Sequence, residues 1–150
     1  MTISDKNMNY KIIDKQTYYR SGVFRHFSED CKCSTSMTAR INVTALKKFS
    51  EDSGTKFYIN FLYVLAKVLN SREDYRMGYI WQTEELICYD QINPAQYIFH
   101  EDTETCTPVY TVYNVDYHVF YKDCAEDIRK AKETREYLLD MANHPNWFDA

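Results

Sequence analysis

The sequence predicts an α+β fold in which helices pack on a mixed or antiparallel β-sheet. Apolar and polar residues alternate between Met37 and Val43, which is the period of a half-buried strand. Between Phe57 and Leu69, apolar residues recur at helical spacing. The 150 residues fit one domain, and with only 3 Gly and 3 Pro no flexible linker is expected to divide them.

The first predicted elements are a strand and two helices. The strand covers residues 37–43, and Thr44 then stands at the N-cap position of a short helix. Ser53 and Gly54 are a typical helix stop. The apolar helix over residues 57–69 is expected to be covered on most sides, because few polar residues interrupt it.

The second half of the chain predicts four more strands and a long helix. Residues 76–81 and 86–89 flank a polar turn and form a predicted hairpin, followed by strands over 96–100 and 109–113. Asp116 is the expected cap of the last long helix. Its predicted buried stripe is Phe120, Cys124, Ile128 and Ala131, and its predicted outward residues are Asp127, Arg129, Lys130 and Lys132. After Tyr137 the pattern is weak, and His144-Pro145-Asn146 excludes a helix there.

Composition excludes several classes of protein. The net charge is −4 and there is no basic cluster, which argues against binding nucleic acid through its phosphates. No apolar run approaches 18 residues, and the first residues lack the apolar stretch of a signal peptide. The expected location is therefore the cytoplasm. The 14 Tyr predict either a Tyr-rich sheet face or an aromatic pocket or subunit interface.

The cysteines predict free thiols. An odd count without a secretion signal argues against a disulfide framework. Cys31 and Cys33 are too close together for the usual zinc spacing, and no second pair follows, so no metal site is predicted. The five are Cys31, Cys33, Cys88, Cys106 and Cys124.

Two longer segments carry a resemblance to a known family. They are KFYINFLYVLAKVLNSREDYRM at residues 56–77 and YIFHEDTETC at residues 97–106. Both resemble the motifs KFYP…E(F/L)RM and (Y/F)T(I/V)FH…TETF of chloramphenicol acetyltransferases, in the same order and spacing. The resemblance implies the fold shared with the acyltransferase domains of 2-oxo acid dehydrogenase complexes. It also implies a homotrimer, acetyl-CoA as cofactor, and a role in antibiotic resistance.

The family's catalytic signature, HHxxxDG, does not occur in these 150 residues. The resemblance therefore implies one domain over residues 1–150, incomplete at its C-terminus, with no catalytic residue assigned. The tail HPNWFDA resembles the family's PENxF(N/D)(V/I)S region, which precedes the signature. Arg20 falls where the family has an arginine that braces the catalytic loop.

The resemblance also places an acceptor pocket on this chain. It implies substrate contacts by His26, Phe27, Thr35, Cys106 and Pro108. Only Phe27 keeps the family's aromatic character, so the pocket is expected to be smaller and more polar than one that holds an apolar ring. These departures weigh against chloramphenicol itself as the acceptor.

No histidine is predicted to act as a general base. His100 precedes Glu101 and Asp102, but adjacent residues on a strand point to opposite faces, so His100 is expected to be structural or on the surface. No Ser-His-Asp set can be assembled from the spacing.

Two functions stay open at this stage. The chain is either part of an acetyltransferase that is inactive by itself, or a non-enzymatic binding or inhibitor protein that reuses the fold as an oligomeric interaction module. Under either function, a domain that is incomplete at its C-terminus would lack strands, and its sheet would have unpaired edges. A homo-oligomer, a trimer by analogy, or a partner that completes the sheet is therefore expected.

Overall fold

The computed structural model describes residues 10–31, 33–34, 36–139 and 145–150. Within them lie four α-helices, a π-helical turn, a 3₁₀ turn and six strands. The helices are α1 (Ser21–Arg25, continued by the π turn His26–Asp30), α2 (Thr44–Ser53), α3 (Phe57–Asn70) and α4 (Tyr117–Glu133), and the 3₁₀ turn is Glu73–Tyr75. The strands are β1 (Tyr10–Ile13), β2 (Met77–Ile80), β3 (Glu85–Tyr89), β4 (Asn93–His100), β5 (Thr105–Tyr110) and β6 (Trp147–Asp149).

The strands form two three-stranded sheets, which confirms the α+β class. In the first sheet β3 lies between β1 and β2, and both pairings are antiparallel. In the second, β4 lies between β5 and β6, antiparallel to β5 and parallel to β6. The predicted hairpin of β2 and β3 is therefore confirmed.

The core lies where α3 and α4 pack together against the second sheet. Its buried members are Ile59, Leu62, Ala66, Tyr113, Phe120 and Cys124.

The buried side-chain amide of Asn60 connects three helices by hydrogen bonds. The Asn60 amide donates to Ser50 Oγ and Thr55 Oγ1, both at 2.8 Å, and its oxygen accepts from the Tyr117 hydroxyl at 2.7 Å. Because every polar atom of this group has a partner, its burial is not penalised.

The helix boundaries follow local chemistry. The Asp116 side chain accepts hydrogen bonds from the backbone N–H groups of His118 and Val119, which confirms it as the cap of α4. Gly54 follows α2 with φ at +65°, a conformation that glycine adopts without strain. The prediction of Thr44 as N-cap is wrong. Thr44 is the first residue of α2, and its N–H is accepted by the Asn42 side chain at 3.0 Å.

The predicted strand over residues 37–43 is wrong. The described residues of this segment form no strand, and Met37 and Ile41 are 89% and 69% exposed. A half-buried strand needs both a neighbouring strand and a core face. Among the described residues the segment has neither, so its alternating pattern has nothing to pair with.

Three further features of the elements differ from the sequence analysis. Helix α3 buries only one face, and Phe57, Val64 and Val68 are exposed on its other side. The last predicted strand, 109–113, lies earlier, at Thr105–Tyr110. In the tail, β6 is a strand that the weak pattern did not indicate.

On α4, Phe120, Cys124 and Ala131 are buried as predicted, but Asp127 is not fully outward. Its carboxylate accepts from Thr111 Oγ1 at 2.8 Å, and partial burial raises its pKa. No helix in the described part of the chain is long and apolar enough to cross a membrane.

Candidate functional site

An open aromatic cleft of about 640 Å³ lies between the helical segment at residues 21–30 and strand β2. The rings of Phe24 and Tyr79 lie 5.4 Å apart, and those of Tyr79 and Trp81 lie 4.8 Å apart, edge to face. Such ring geometries are the favoured ones for aromatic pairs. The lining consists of Val23, Phe24, Phe27, Ser28, Cys33, Ser34, Tyr79 and Trp81.

Local backbone structure brings these rings together. α1 runs into a π turn, in which the Cys31 N–H donates to the His26 carbonyl at 2.8 Å, five residues back. Single π turns occur frequently at functional sites. On the other wall, Tyr79 lies on β2 and Trp81 in the turn that follows it, and both side chains line the cleft.

A second, connected cleft of about 370 Å³ continues the aromatic cleft toward the first sheet. The two share Val23, Phe24 and Tyr79. Gly78 lines the second cleft, and a Cβ there would lie 3.1 Å from the Tyr89 ring. Since a side chain would have to displace that ring, the position favours glycine.

The structure places the five predicted acceptor residues in different surroundings. Phe27 lines the aromatic cleft and is 50% exposed. His26 does not line it; its ring lies 5.0 Å from that of Phe27, and its Nδ1 is 3.5 Å from Asp30 Oδ2. Cys106 is exposed on β5 opposite Phe99, and Pro108 is buried on the same strand. Neither lines the aromatic cleft. Thr35 lies outside the described residues.

One other predicted position, Arg20, has clear partners. The Arg20 guanidinium lies 3.7 Å from the Asp74 carboxylate and 4.9 Å from the centre of the Tyr19 ring. Asp74 is also held by Arg72 at 2.8 Å, and that hydrogen bond is the main reason that its pKa is lowered. Arg20 therefore belongs to a surface cluster of one carboxylate and two guanidinium groups.

The described histidines do not lie in the aromatic cleft. His100 is buried, and its Nε2 is 2.8 Å from Thr107 Oγ1. The Thr107 hydroxyl donates its single proton to the Thr134 carbonyl, so the His100 Nε2 must carry the proton that joins the two side chains. His118 is exposed in the first turn of α4, and His144 lies outside the described residues.

A third cleft, the α3–α4 cleft, has about 370 Å³ and an apolar floor beneath several cations. Arg129 is already paired with Glu126 and Glu133, at 2.6 to 2.9 Å. No ion pair engages Lys56 or Lys132 within the described ranges. Burial raises the pKa of Tyr58, which keeps its phenol neutral. The lining residues are Lys56, Tyr58, Ile59, Ala125, Ile128, Arg129 and Lys132.

Sequence reasoning assigned no role to Tyr79, Trp81, Lys132 or Arg129. The opposite wall of each cleft comes from a distant part of the chain, and no local pattern connects the two walls. The only signal was the KFY motif, which contains Lys56 and Tyr58. In the described part of the chain no group of three or more His, Cys, Asp or Glu side chains is arranged to hold a metal, and the five cysteines are free.

Comparisons with known proteins identify the family of this chain. The family model for chloramphenicol acetyltransferase matches residues 8–149. The chain is 31% identical to a chloramphenicol acetyltransferase of Proteus mirabilis over 143 residues, covering 95% of this chain and 62% of that protein. It is 34% identical to one from Clostridium butyricum over 122 residues, covering 81% of this chain and 55% of that protein.

A solved structure of a chloramphenicol acetyltransferase shares the fold, with a TM-score of 0.77 at 20% sequence identity, over 85% of this chain and 59% of that one. The chain thus spans about three fifths of the length of the relatives it matches. Since the family model covers almost all of it, the chain belongs to the chloramphenicol acetyltransferase family.

Proposed function

We propose that this chain is the ligand-binding part of an acetyl-CoA-dependent O-acetyltransferase and does not transfer acetyl groups by itself. The acceptor binds in the aromatic cleft, and acetyl-CoA binds in the α3–α4 cleft. The observation that carries the proposal is the coexistence of these two chemically different clefts on a family fold whose described histidines lie in neither.

Acetyl transfer to a hydroxyl needs two groups besides the ligands. A base must take the hydroxyl proton as the oxygen attacks the thioester, and a donor must stabilise the negative charge on the former carbonyl oxygen. The chain has no HHxxxDG motif to supply the base. On this proposal the base comes from outside these 150 residues.

The α3–α4 cleft fits acetyl-CoA by its chemistry. Lys56 and Lys132 offer free positive charge to phosphate groups. Ile59 and Ile128 form an apolar wall for the pantetheine arm, and the Tyr58 ring offers a face to the adenine. When bound, acetyl-CoA supplies the acetyl thioester; the chain's own residues position it and neutralise its charge.

Reversing the charge of Lys132 tests this cleft. Lys132→Glu is expected to weaken CoA binding about tenfold or more, because a hydrogen bond to a charged group contributes about 1.5–3 kcal/mol. Titration calorimetry with CoA measures the effect. Lys122→Glu is the matched control, since Lys122 is an exposed lysine of α4 that does not line the cleft. Equal weakening by both variants would show that CoA does not bind in this cleft.

The aromatic cleft favours an acceptor with a flat apolar ring. Phe24, Phe27, Tyr79 and Trp81 present ring surface, and Ser28 and Ser34 supply hydroxyl groups at the margin. His26 and Cys106 do not line this cleft, so their polar side chains carry no argument about the acceptor there. The proposed class is therefore an aromatic compound that carries a hydroxyl group.

Phe27→Ala is expected to weaken binding of an aromatic hydroxyl compound, with chloramphenicol as the first probe, by roughly fivefold, the middle of the range for loss of an aromatic pair. Fluorescence of Trp81 in the cleft reports the binding. Phe99→Ala is the matched control, because Phe99 is exposed like Phe27 but does not line the cleft. If Phe99→Ala weakened binding as much as Phe27→Ala, the acceptor would not lie in this cleft.

A second candidate, a non-enzymatic interaction module, is favoured by the exposed apolar face of α3. Phe57, Val64 and Val68 lie along one side of the helix at spacings of seven and four residues. Contiguous apolar surface of this kind commonly marks a protein contact. Under either function we propose a homo-oligomer, which the family resemblance implies to be a trimer, or a partner that completes the sheet.

A further inference from the structure

We propose that the core of this chain binds an internal water molecule at the side-chain amide of Gln96, between β4 and α4. Gln96 lines neither the aromatic cleft nor the α3–α4 cleft, so this site does not depend on what those clefts bind. It is indicated by a buried polar atom that has no partner.

The Gln96 amide is polar at both ends but is satisfied at only one. The side chain is 0% exposed, and its Nε2 donates to Cys124 Sγ on α4 at 3.7 Å. Its Oε1 is also buried, and no donor among the described residues lies within hydrogen-bonding distance of it. A buried amide oxygen without a donor is costly, and few such groups occur in native proteins. A donor at Oε1 is therefore expected.

The neighbouring side chains have already used their protons. The Thr111 hydroxyl donates its single proton to Asp127 Oδ2 at 2.8 Å. Thr111 is also hydrogen-bonded to Cys124. Since the Thr111 proton is held by Asp127, the Cys124 thiol must be the donor in that contact. These bonds run in one direction, from the Gln96 amide to the Asp127 carboxylate, and leave no proton for Gln96 Oε1.

Exchanging the two ends of the amide would not remove the need for a partner. In that orientation the Gln96 oxygen would accept from the Cys124 thiol, and the NH₂ group would take the place of the unpartnered oxygen. A buried N–H group without an acceptor is also rare in native proteins. A water molecule serves both orientations, because it both donates and accepts hydrogen bonds.

Water is the ligand because the site is closed. The Gln96 side chain has no exposed surface, so neither another segment nor a second chain can reach Oε1 without opening the core. Protein interiors hold about one buried water per 27 residues, and such waters bind polar groups that otherwise lack partners. The lone pairs of Cys124 and Thr111, in the same cluster, offer acceptors for the second proton of the water.

A crystal structure at a resolution that shows ordered waters tests the site directly. The expected result is one isolated density peak about 2.7–3.2 Å from the free end of the Gln96 amide. The Asn60 amide is an internal control, because it is also buried but its polar atoms have protein partners, so no peak is expected there. A protein donor at Gln96 Oε1, or an ordered Gln96 side chain with no peak beside it, would overturn the proposal.

Oxygen-17 relaxation dispersion tests the site in solution, because it counts the water molecules that a protein holds internally. Gln96→Leu removes both polar ends of the amide, and the count is expected to fall by about one. Gln82→Leu is the matched control, since Gln82 is an exposed glutamine in the turn between β2 and β3 and should leave the count unchanged. An unchanged count in Gln96→Leu, or an equal fall in both variants, would show that Gln96 binds no water.

Circular dichroism shows whether the two variants fold like the unsubstituted chain. If Gln96→Leu does not fold, the crystal structure of the unsubstituted chain decides by itself, since it requires no substitution. A peak at Gln96 and none at Asn60 then supports the water site, and the absence of a peak at Gln96 overturns it.

Discussion

Replacing Phe120 with alanine is expected to lower the free energy of unfolding by about 3–5 kcal/mol, the usual cost of removing a fully buried ring. Phe120 is 0% exposed, and its ring lies 5.6 Å from that of Tyr63 and 6.3 Å from that of Tyr113. It joins α4 to α3 at the centre of the core, so the cavity would open between the two helices that form the α3–α4 cleft.

Urea unfolding at a fixed protein concentration measures this effect, since an oligomer would make stability depend on concentration. Phe99→Ala serves as the control. Phe99 is 60% exposed, and its loss should change the free energy of unfolding by less than about 0.5 kcal/mol. Equal losses in the two variants would show that the core is not centred on Phe120.

Incubated with acetyl-CoA and chloramphenicol, the chain alone is expected to acetylate the drug no faster than a protein-free control. A missing general base costs about 10²–10⁴ in rate. A missing oxyanion donor costs about 10²–10³. Relative to the Proteus mirabilis enzyme assayed in parallel, the combined loss is expected to be about 10⁴-fold or more.

The product should be measured by chromatography, because the exposed Cys31, Cys33 and Cys106 would themselves react with a thiol reagent. Turnover that survives repurification and disappears in His26→Ala would contradict the proposal. It would identify His26, held beside Asp30, as a base near the aromatic cleft.

Local patterns predicted those elements whose partners lie nearby in the sequence. The cap at Asp116, the glycine stop at Gly54 and the hairpin of β2 and β3 each depend on residues within one turn or one hairpin. Such features follow from backbone geometry and nearest-neighbour contacts, which the sequence states directly.

Long-range partners decided the remaining features. Segment 37–43 has the correct alternation for a strand but no pairing strand in the described structure, and alternation alone cannot show whether one exists. β6 has only three residues and forms because β4 offers a parallel edge to it. The aromatic cleft could be predicted only at Phe27, since Tyr79 and Trp81 reach it from β2 and the turn after it, about 50 residues further along the chain.

Equilibrium dialysis with radiolabelled acetyl-CoA tests the central claim, binding without transfer, most directly. The wild-type chain is kept on one side of the membrane, and chloramphenicol is present on both sides. The labelled compounds on each side are then separated by chromatography. The account predicts that label accumulates on the protein side and is recovered as intact acetyl-CoA. Equal label on both sides, or label recovered as acetylated chloramphenicol, would contradict it.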